Sequence, residues 1–391
     1  MTYKLNELSI ELTNECGYKC IHCSSGATLY RLPYELQYED HMRLLCEARA
    51  LGASELSLSG GSPLLYPQLP ELITWADDLG YERIMIYVVP QNHWGTTIDM
   101  YKHIDRLIRM PRVAWIFSLH SHNSFVNDYI MQFPGAFKDI TYSIDWLVRR
   151  GCKTEIHMVP MQPNFRHIPF VRQLCASLGV RQMSVLRFVP QTRGKKNFDA
   201  LGMDKADFHS MQKLLLAEIT QTHSVSLRMG CPIDFRHTIG ALKEKARPCH
   251  AGDDLMLVRP TGAVHPCAAW KSLPADSNVS MHSLGYIWHH SAVFNAIRDF
   301  KAEGYKKMTN GCGKCGFLSS CKAGCPAQRL HAYGGDQIAG LYVERSDPLC
   351  PIGDGDLEIP EDIKTQARQL DYKRLHLTTQ IQPVEVIENV S

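Results

Sequence analysis

The stretch Leu8-Ser-Ile-Glu-Leu-Thr13-Asn-Glu-Cys16-Gly-Tyr-Lys-Cys20-Ile-His-Cys23 decides the fold. It begins as a short, β-rich run from Leu8 to Thr13 and ends with three cysteines inside eight residues. Three thiolates at this spacing can wrap one iron–sulfur cube and leave its fourth iron without a protein ligand. A structural zinc ion is the plainer alternative, but it wants four ligands. His22 would have to coordinate between two adjacent cysteines, which is geometrically awkward.

Working outward, the same strand type recurs. Strands are expected at Leu8–Thr13, Glu55–Ser59, Arg83–Val89, Val113–Leu119, Lys153–Val159 and Gln182–Val189. Helical patterns lie between them at Glu39–Leu51, Leu69–Leu79, Ile98–Met110, Ala136–Arg149 and Ile168–Leu178. Near-continuous apolar strands separated by helices predict a parallel sheet of β/α units. Six repeats are fewer than the eight of a closed barrel. After Pro190 the rhythm breaks: Gln191–Asn197 reads as a Gly/Lys-rich polar turn, followed by a helix over Lys205–Thr222. Further on, Leu255–Arg259, a Pro260-Thr261-Gly262 turn and Ala263–Cys267 read as a hairpin.

Composition narrows the class. The chain has 391 residues, 45% of them apolar, which suits a folded protein of two domains. Lys and Arg total 42 against 40 Asp and Glu, so nothing calls for nucleic acid or a membrane surface. No apolar run reaches the ~18 residues of a membrane span. Met1–Leu12 lacks the pattern of a signal peptide, so a cytoplasmic protein is expected. Fourteen cysteines in a large chain without an export signal point to metal or cluster ligation rather than disulfides.

The C-x3-C-x2-C triad after a first strand resembles the radical S-adenosylmethionine (SAM) superfamily. The resemblance implies a partial (β/α)6 barrel and a four-iron cluster on Cys16, Cys20 and Cys23. It also implies SAM chelating the open iron and reductive cleavage to a 5′-deoxyadenosyl radical. Ser59-Gly60-Gly61-Ser62-Pro63 is similar to the family's Gly-Gly-Glu-Pro turn, which meets the methionyl end of SAM. Ser62 stands where the family has Glu, so only the backbone role carries over. By the same resemblance Ser118 and His120 would lie at SAM. The other reading makes them a strand-end Ser and His bonded within a loop. Arg187 would meet a carboxylate of SAM or substrate, or form a structural ion pair.

Beyond the barrel, Cys249, Gly262-x4-Cys267, Cys312-x2-Cys315-x5-Cys321-x3-Cys325 and Cys350 resemble the seven-cysteine SPASM extension. That family is named for the subtilosin, pyrroloquinoline quinone, anaerobic sulfatase and mycofactocin maturases. The alternative is a pair of zinc sites. The resemblance implies an outer auxiliary cluster on Cys312, Cys315, Cys321 and Cys350. An inner one would sit on Cys249, Cys267 and Cys325, with Cys231 the candidate fourth ligand. The expected architecture is thus α/β: a partial (β/α)6 radical SAM barrel over residues 1–225, then a small Cys-rich α+β SPASM domain over 226–355. A tail over 356–391 completes it. Cys46, Cys152 and Cys175 read as buried apolar residues.

Expected cofactors are three [4Fe-4S] clusters and SAM. The resemblance implies a ribosomally made peptide substrate that is crosslinked, oxidised or epimerised. A small molecule such as an amino sugar or tetrapyrrole is the alternative, and a non-catalytic electron carrier a third reading. A sulfatase-maturase role would place an Asp after the cysteine of Gly-x4-Cys, but Ala268-Ala269-Trp270 follows Cys267. An external donor such as a flavodoxin or ferredoxin is implied. With the barrel starting near residue 8, leader recognition would fall to a separate protein or be absent. Anaerobically reconstituted protein is expected to bind close to three four-iron clusters. Replacing Cys16, Cys20 and Cys23 together by Ala should leave two. Iron and sulfide analysis checks this; zinc in their place, or a single cluster, would contradict it.

Overall fold

The computed structural model describes residues 3–90, 105–230, 249–309, 311–315, 318–334, 338–342 and 345–350. Nine strands form one sheet: β1 (Glu7–Thr13), β2 (Glu55–Gly60), β3 (Arg83–Val88), β4 (Val113–Ser118), β5 (Lys153–Met158), β6 (Gln182–Val185), β7 (Ser226–Met229), β8 (Leu255–Val258) and β9 (Val264–His265). Their order is β7-β6-β5-β4-β3-β2-β1-β8-β9. Every pairing is parallel except that of β8 with β9.

All six expected strands form, yet they are not apolar throughout. In β1 Leu8, Ile10 and Leu12 are fully buried against helices, while Glu7, Ser9 and Glu11 alternate onto the other face. That other face carries Glu55 and Ser57 on β2, Arg83 and Tyr87 on β3, and Glu155 and His157 on β5. The sheet thus buries an apolar outer face and keeps a polar inner one. Helices Tyr38–Ala50, Leu69–Asp78, Ala136–Val148 and Ile168–Ser177 cover the outer face. They bury Leu44 with Ala48, Leu72 with Ala76, Ile140 with Ile144, and Val171 with Cys175, at the spacing of one helical face. These residues join the strand residues in one core, where truncating a Leu or Ile to Ala costs about 2–5 kcal/mol.

Several expectations need correcting. Residues 192–196 are a helix (Thr192–Lys196), not a turn. β6 stops at Val185, four residues early, because Leu186–Val189 turn away to meet the auxiliary region. Cys46 is exposed, on the outward side of its helix; Cys152 is half-buried and Cys175 buried. The helix expected over Ile98–Met110 lies largely outside the described residues, apart from a 3-10 turn at Leu107–Arg109. Cys231 and the tail over 356–391 also lie outside them. Among the described residues no helix is long and apolar enough to cross a membrane.

The expected hairpin is β8 and β9, but it does not stand apart. β8 runs beside β1, with Leu8 opposite Met256 and Ile10 opposite Val258. Where the two meet, Glu11 is completely buried; it forms ion pairs with Arg259 Nε at 2.6 Å and Lys271 Nζ at 2.5 Å, and accepts the Ser25 hydroxyl at 2.5 Å. Burial pushes the Glu11 carboxyl up, but the Lys271 and Arg259 cations outweigh it and hold it below its ordinary value. A carboxyl lowered on folding adds stability above its unfolded value, and that contribution disappears as pH falls through the folded one. Glu11→Gln leaves two cations without their counter-charge, and a loss of about 3–5 kcal/mol is expected at pH 7. Denaturant unfolding should show the gap between wild type and variant closing as pH drops below about 4. A gap that stays constant with pH would contradict the ion-pair account.

Candidate cluster and cofactor site

The three N-terminal cysteines sit in a loop without regular structure, so other elements must satisfy its backbone. β1 enters it through an irregularity between Glu11 and Thr13. From β2, Gly61 N–H donates to the Thr13 carbonyl at 2.7 Å and Ser62 N–H to that of Glu15 at 2.6 Å. This approach is why glycines occur there. Gly60 has φ +126, and a Cβ on Gly61 would stand 2.0 Å from the Glu15 oxygen. Next, Cys16 N–H bonds the Thr28 carbonyl at 2.7 Å and Ile21 N–H that of Ile130 at 3.0 Å. The helix over 192–196 closes the loop from above. Arg193 donates to the carbonyls of Cys20 (3.0 Å) and Ala27 (2.6 Å), Asn197 to that of Ile21 (3.0 Å), and the Thr192 hydroxyl to that of Cys23.

Cys16 is buried, and Cys20 and Cys23 partly so. Burial, opposed by a Tyr18 N–H bond and reinforced by the neighbouring Cys23, pushes the Cys16 thiol up to about 11. Burial, then Cys23 and Cys16, pushes Cys20 well above its ordinary value. Cys23 thus makes both Cys16 and Cys20 harder to ionise, and Cys16 adds to the effect on Cys20. Iron charge at their centre reverses that and converts them to thiolates, so the donor set fits a cluster. Among the described residues no three His, Cys, Asp or Glu side chains close on a single-ion centre.

The expected SAM contacts are partly gathered here. Gly60, Gly61, Ser62 and Pro63 lie against the cysteine loop; Ser62 is fully buried, its Oγ without a partner among the described residues. Ser118 ends β4 opposite His157. His120 is buried, its ring 4.4 Å from that of His22, edge to face. Asn127 accepts its N–H (3.0 Å), Asn164 donates to its carbonyl (2.8 Å), and its Nδ1 accepts Val159 N–H (3.3 Å). Burial holds His120 well below the usual imidazole value, and burial plus Arg193 brings His22 down to about 4. Both rings are neutral at pH 7. Arg187 is placed differently: its guanidinium meets the carboxylate of Asp347, with both side chains buried.

The auxiliary cysteines separate into two groups. Cys312, Cys315, Cys321 and Cys350 surround one small space with Gly324 and Asp347. Cys249, Cys267 and Cys325 border another, and the first and last of these are felt electrostatically at Cys267, where burial is the larger effect. The second space is a cavity of about 440 Å³ reaching into the polar face of the sheet. Glu7, Arg83, Tyr87 and His157 line it on one side; His22 and Ser24 of the triad loop line it on another.

Residues 10–168 match the radical SAM superfamily, and residues 249–316 match the SPASM iron–sulfur cluster-binding domain. The chain thus carries a radical SAM domain followed by a SPASM domain. It is 25% identical over 364 residues to an AdoMet-dependent heme synthase of Methanosarcina barkeri, covering 90% of this chain and 97% of that one. Identity to a PqqA peptide cyclase of Methylobacterium nodulans is 27% over 349 residues, covering 88% and 86%. Among solved structures, Streptococcus suis SuiB bound to SAM superposes with TM-score 0.69 at 20% identity, over 89% of this chain and 77% of that chain. SuiB bound to its precursor peptide SuiA gives 0.66 at 20% identity, over 85% and 74%.

The radical SAM triad was legible in the sequence, but the residues that hold its loop were not. Thr192, Arg193 and Asn197 have no spacing that points to residues 20–27, and neither does Glu35, whose carboxylate takes Asn14 N–H at 2.7 Å. Asp347, three residues before Cys350, is a carboxylate beside a cysteine motif that could have been marked. Gly61→Ala should push the triad loop away from β2. That variant is expected to lose roughly a third of its iron, one of three four-iron clusters, while retaining the rest. Iron analysis with electron paramagnetic resonance checks this; full iron content and undiminished SAM cleavage would contradict it.

Proposed function

We propose that the protein reductively cleaves SAM at the Cys16–Cys20–Cys23 cluster and abstracts a hydrogen atom from a peptide held in the cavity between that loop and the inner auxiliary cysteines. The observation that carries this reading is the cavity itself, which His22 and Ser24 border on one side and Cys249, Cys267 and Cys325 on another. When bound, the clusters and SAM supply an electron from an external donor, a 5′-deoxyadenosyl radical, and an acceptor for the substrate's second electron.

The chain's own residues bind, orient and handle protons. Gly60 and Gly61 bring β2 close enough to frame the methionyl end of SAM, and the neutral His22–His120 pair keeps charge away from it. Deeper in, burial, ahead of the Arg228 and Arg83 charges, lowers His157 to about 3. Its Nδ1 has no partner among the described residues. His157 is therefore neutral at pH 7 and a weak base, suited to accepting a hydrogen bond from the substrate rather than to taking its proton. Burial raises the Glu7 carboxyl against the opposing Ser57 hydrogen bond. Of these two groups on one cavity Glu7 has the higher proton affinity, so it is the one that takes up the proton released as the substrate is oxidised.

A peptide substrate is supported by the likeness to SuiB, which has been solved with a precursor peptide, and to a PqqA peptide cyclase. The relative named as a heme synthase, covered over 97% of its length, together with the modest cavity volume, favours the second reading of a carboxylated small molecule. Reduced anaerobic enzyme is expected to form 5′-deoxyadenosine from SAM, and the triple Cys16, Cys20, Cys23→Ala variant none. Offered separately, short peptides encoded beside the gene and carboxylated small molecules, tetrapyrroles among them, distinguish the substrate classes. A peptide product lighter by two hydrogens supports the leading reading; conversion of small molecules alone moves it to the second. Cluster-loaded protein that never cleaves SAM would refute both.

A further inference from the structure

Arg187 follows β6 and Asp347 precedes Cys350, yet the two side chains meet face to face. Arg187 Nη1 donates to Asp347 Oδ2 at 2.8 Å, and Nη2 donates to Oδ1. Their side chains are 3% and 1% exposed. The same carboxylate accepts Cys325 N–H at 2.9 Å and Leu349 N–H at 3.0 Å. It also packs on Gly324, where a Cβ would lie 2.6 Å from that of Asp347 and φ is +77. One carboxylate is therefore wedged between Cys321 and Cys325, residues assigned by the reading above to different auxiliary clusters. The two charges are not placed alike. Asp347 borders the space shared by Cys312, Cys315, Cys321 and Cys350, and Arg187 borders the cavity shared by Cys249, Cys267 and Cys325.

We propose that Arg187 and Asp347 are positioning residues that set the reduction potentials of the two auxiliary clusters apart, Arg187 raising the inner and Asp347 lowering the outer. The physical basis is Coulombic. Reduction adds a negative charge, which a fixed cation beside the cluster favours and a fixed anion opposes, and burial leaves both poorly screened. Potentials of such clusters respond to nearby charge and hydrogen bonding. The ion pair is bidentate and fully enclosed, so its charges have one geometry rather than an average over many. It also ties the end of β6 to the turn bearing Cys350, which makes the spacing of the two clusters and the barrel a single mechanical unit.

This rests on the assignment of the auxiliary cysteines as cluster ligands, and the experiment separates the two claims. Iron and sulfide analysis of the reconstituted full chain comes first: fewer than two auxiliary clusters would refute that assignment. With the clusters present, a redox titration followed by electron paramagnetic resonance reads each potential. In Asp347→Asn the outer cluster should become easier to reduce, and in Arg187→Gln the inner cluster harder. Each reduced-to-oxidised ratio at fixed potential should change at least tenfold, about 59 mV for one electron. Arg187→Lys keeps the charge and should keep the inner potential; an equal shift in the Lys and Gln variants would overturn the electrostatic role. If either single variant fails to fold, the double Arg187→Gln, Asp347→Asn variant leaves no lone buried charge. In it the gap between the two potentials should narrow by at least the same tenfold step, and an unaltered gap would overturn the proposal.

Discussion

Two backbone hydrogen bonds, Gly61 N–H to Thr13 and Ser62 N–H to Glu15, are the constraint on which the rest of the structure depends. They exist because β2 ends in two glycines, and the cysteine loop lies where any Cβ would be. Ordering an irregular loop costs about 1–2 kcal/mol per residue, while each hydrogen bond returns about 0.5–1.5 kcal/mol net. The clamps from β2, residues 192–197 and Ile130 narrow that deficit without closing it. On the proposed reading cluster ligation closes it, because binding of this kind adds directly to folding free energy. The loop would then be preorganised by the barrel and completed by its cofactor.

The barrel and the auxiliary region also share structure. β8 extends the sheet beside β1, and Glu11 binds Arg259 and Lys271 from the auxiliary side together with Ser25 from the cysteine loop. Gln191 adds a second seam, donating to the Ala268 carbonyl at 2.9 Å and accepting Ser272 N–H at 3.1 Å. Residues next to Cys267 are thereby held to the segment that clamps Cys20 and Cys23. The cavity between the two regions owes its shape to these contacts. Glu7, His157 and the inner cysteines Cys249, Cys267 and Cys325 all border it.

Much of this was legible in the sequence for physical reasons. β1, β2, β5, β6 and β7 carry two or three alternating apolar residues, β3, β4 and β8 are apolar almost throughout, and the covering helices repeat theirs at three and four, so the β/α rhythm survives without tertiary knowledge. Cysteines at fixed intervals carry their chemistry in their spacing. What escaped was of two kinds. Gly194 looked like a turn residue, yet it sits in a helix because a Cβ there would meet the His22 carbonyl at 3.1 Å. For Arg187 the sequence leaves open a ligand carboxylate or a structural ion pair; the structure has the ion pair, with a partner 160 residues away that no local pattern names. Local pattern cannot show either, since both are answers to a distant neighbour. The hairpin was found, but its place beside β1 depends on a crossover that no local turn specifies.

The most direct test of the account is electron–nuclear double resonance of the reduced enzyme with SAM labelled in its methionine carboxylate and amino groups. The geometry predicts strong coupling of the label to one cluster, lost when Cys16, Cys20 and Cys23 are replaced and retained when Cys312 and Cys315 are. Coupling that survives loss of the triad, or no coupling in fully cluster-loaded protein, would contradict the assignment of that loop as the site of SAM chemistry.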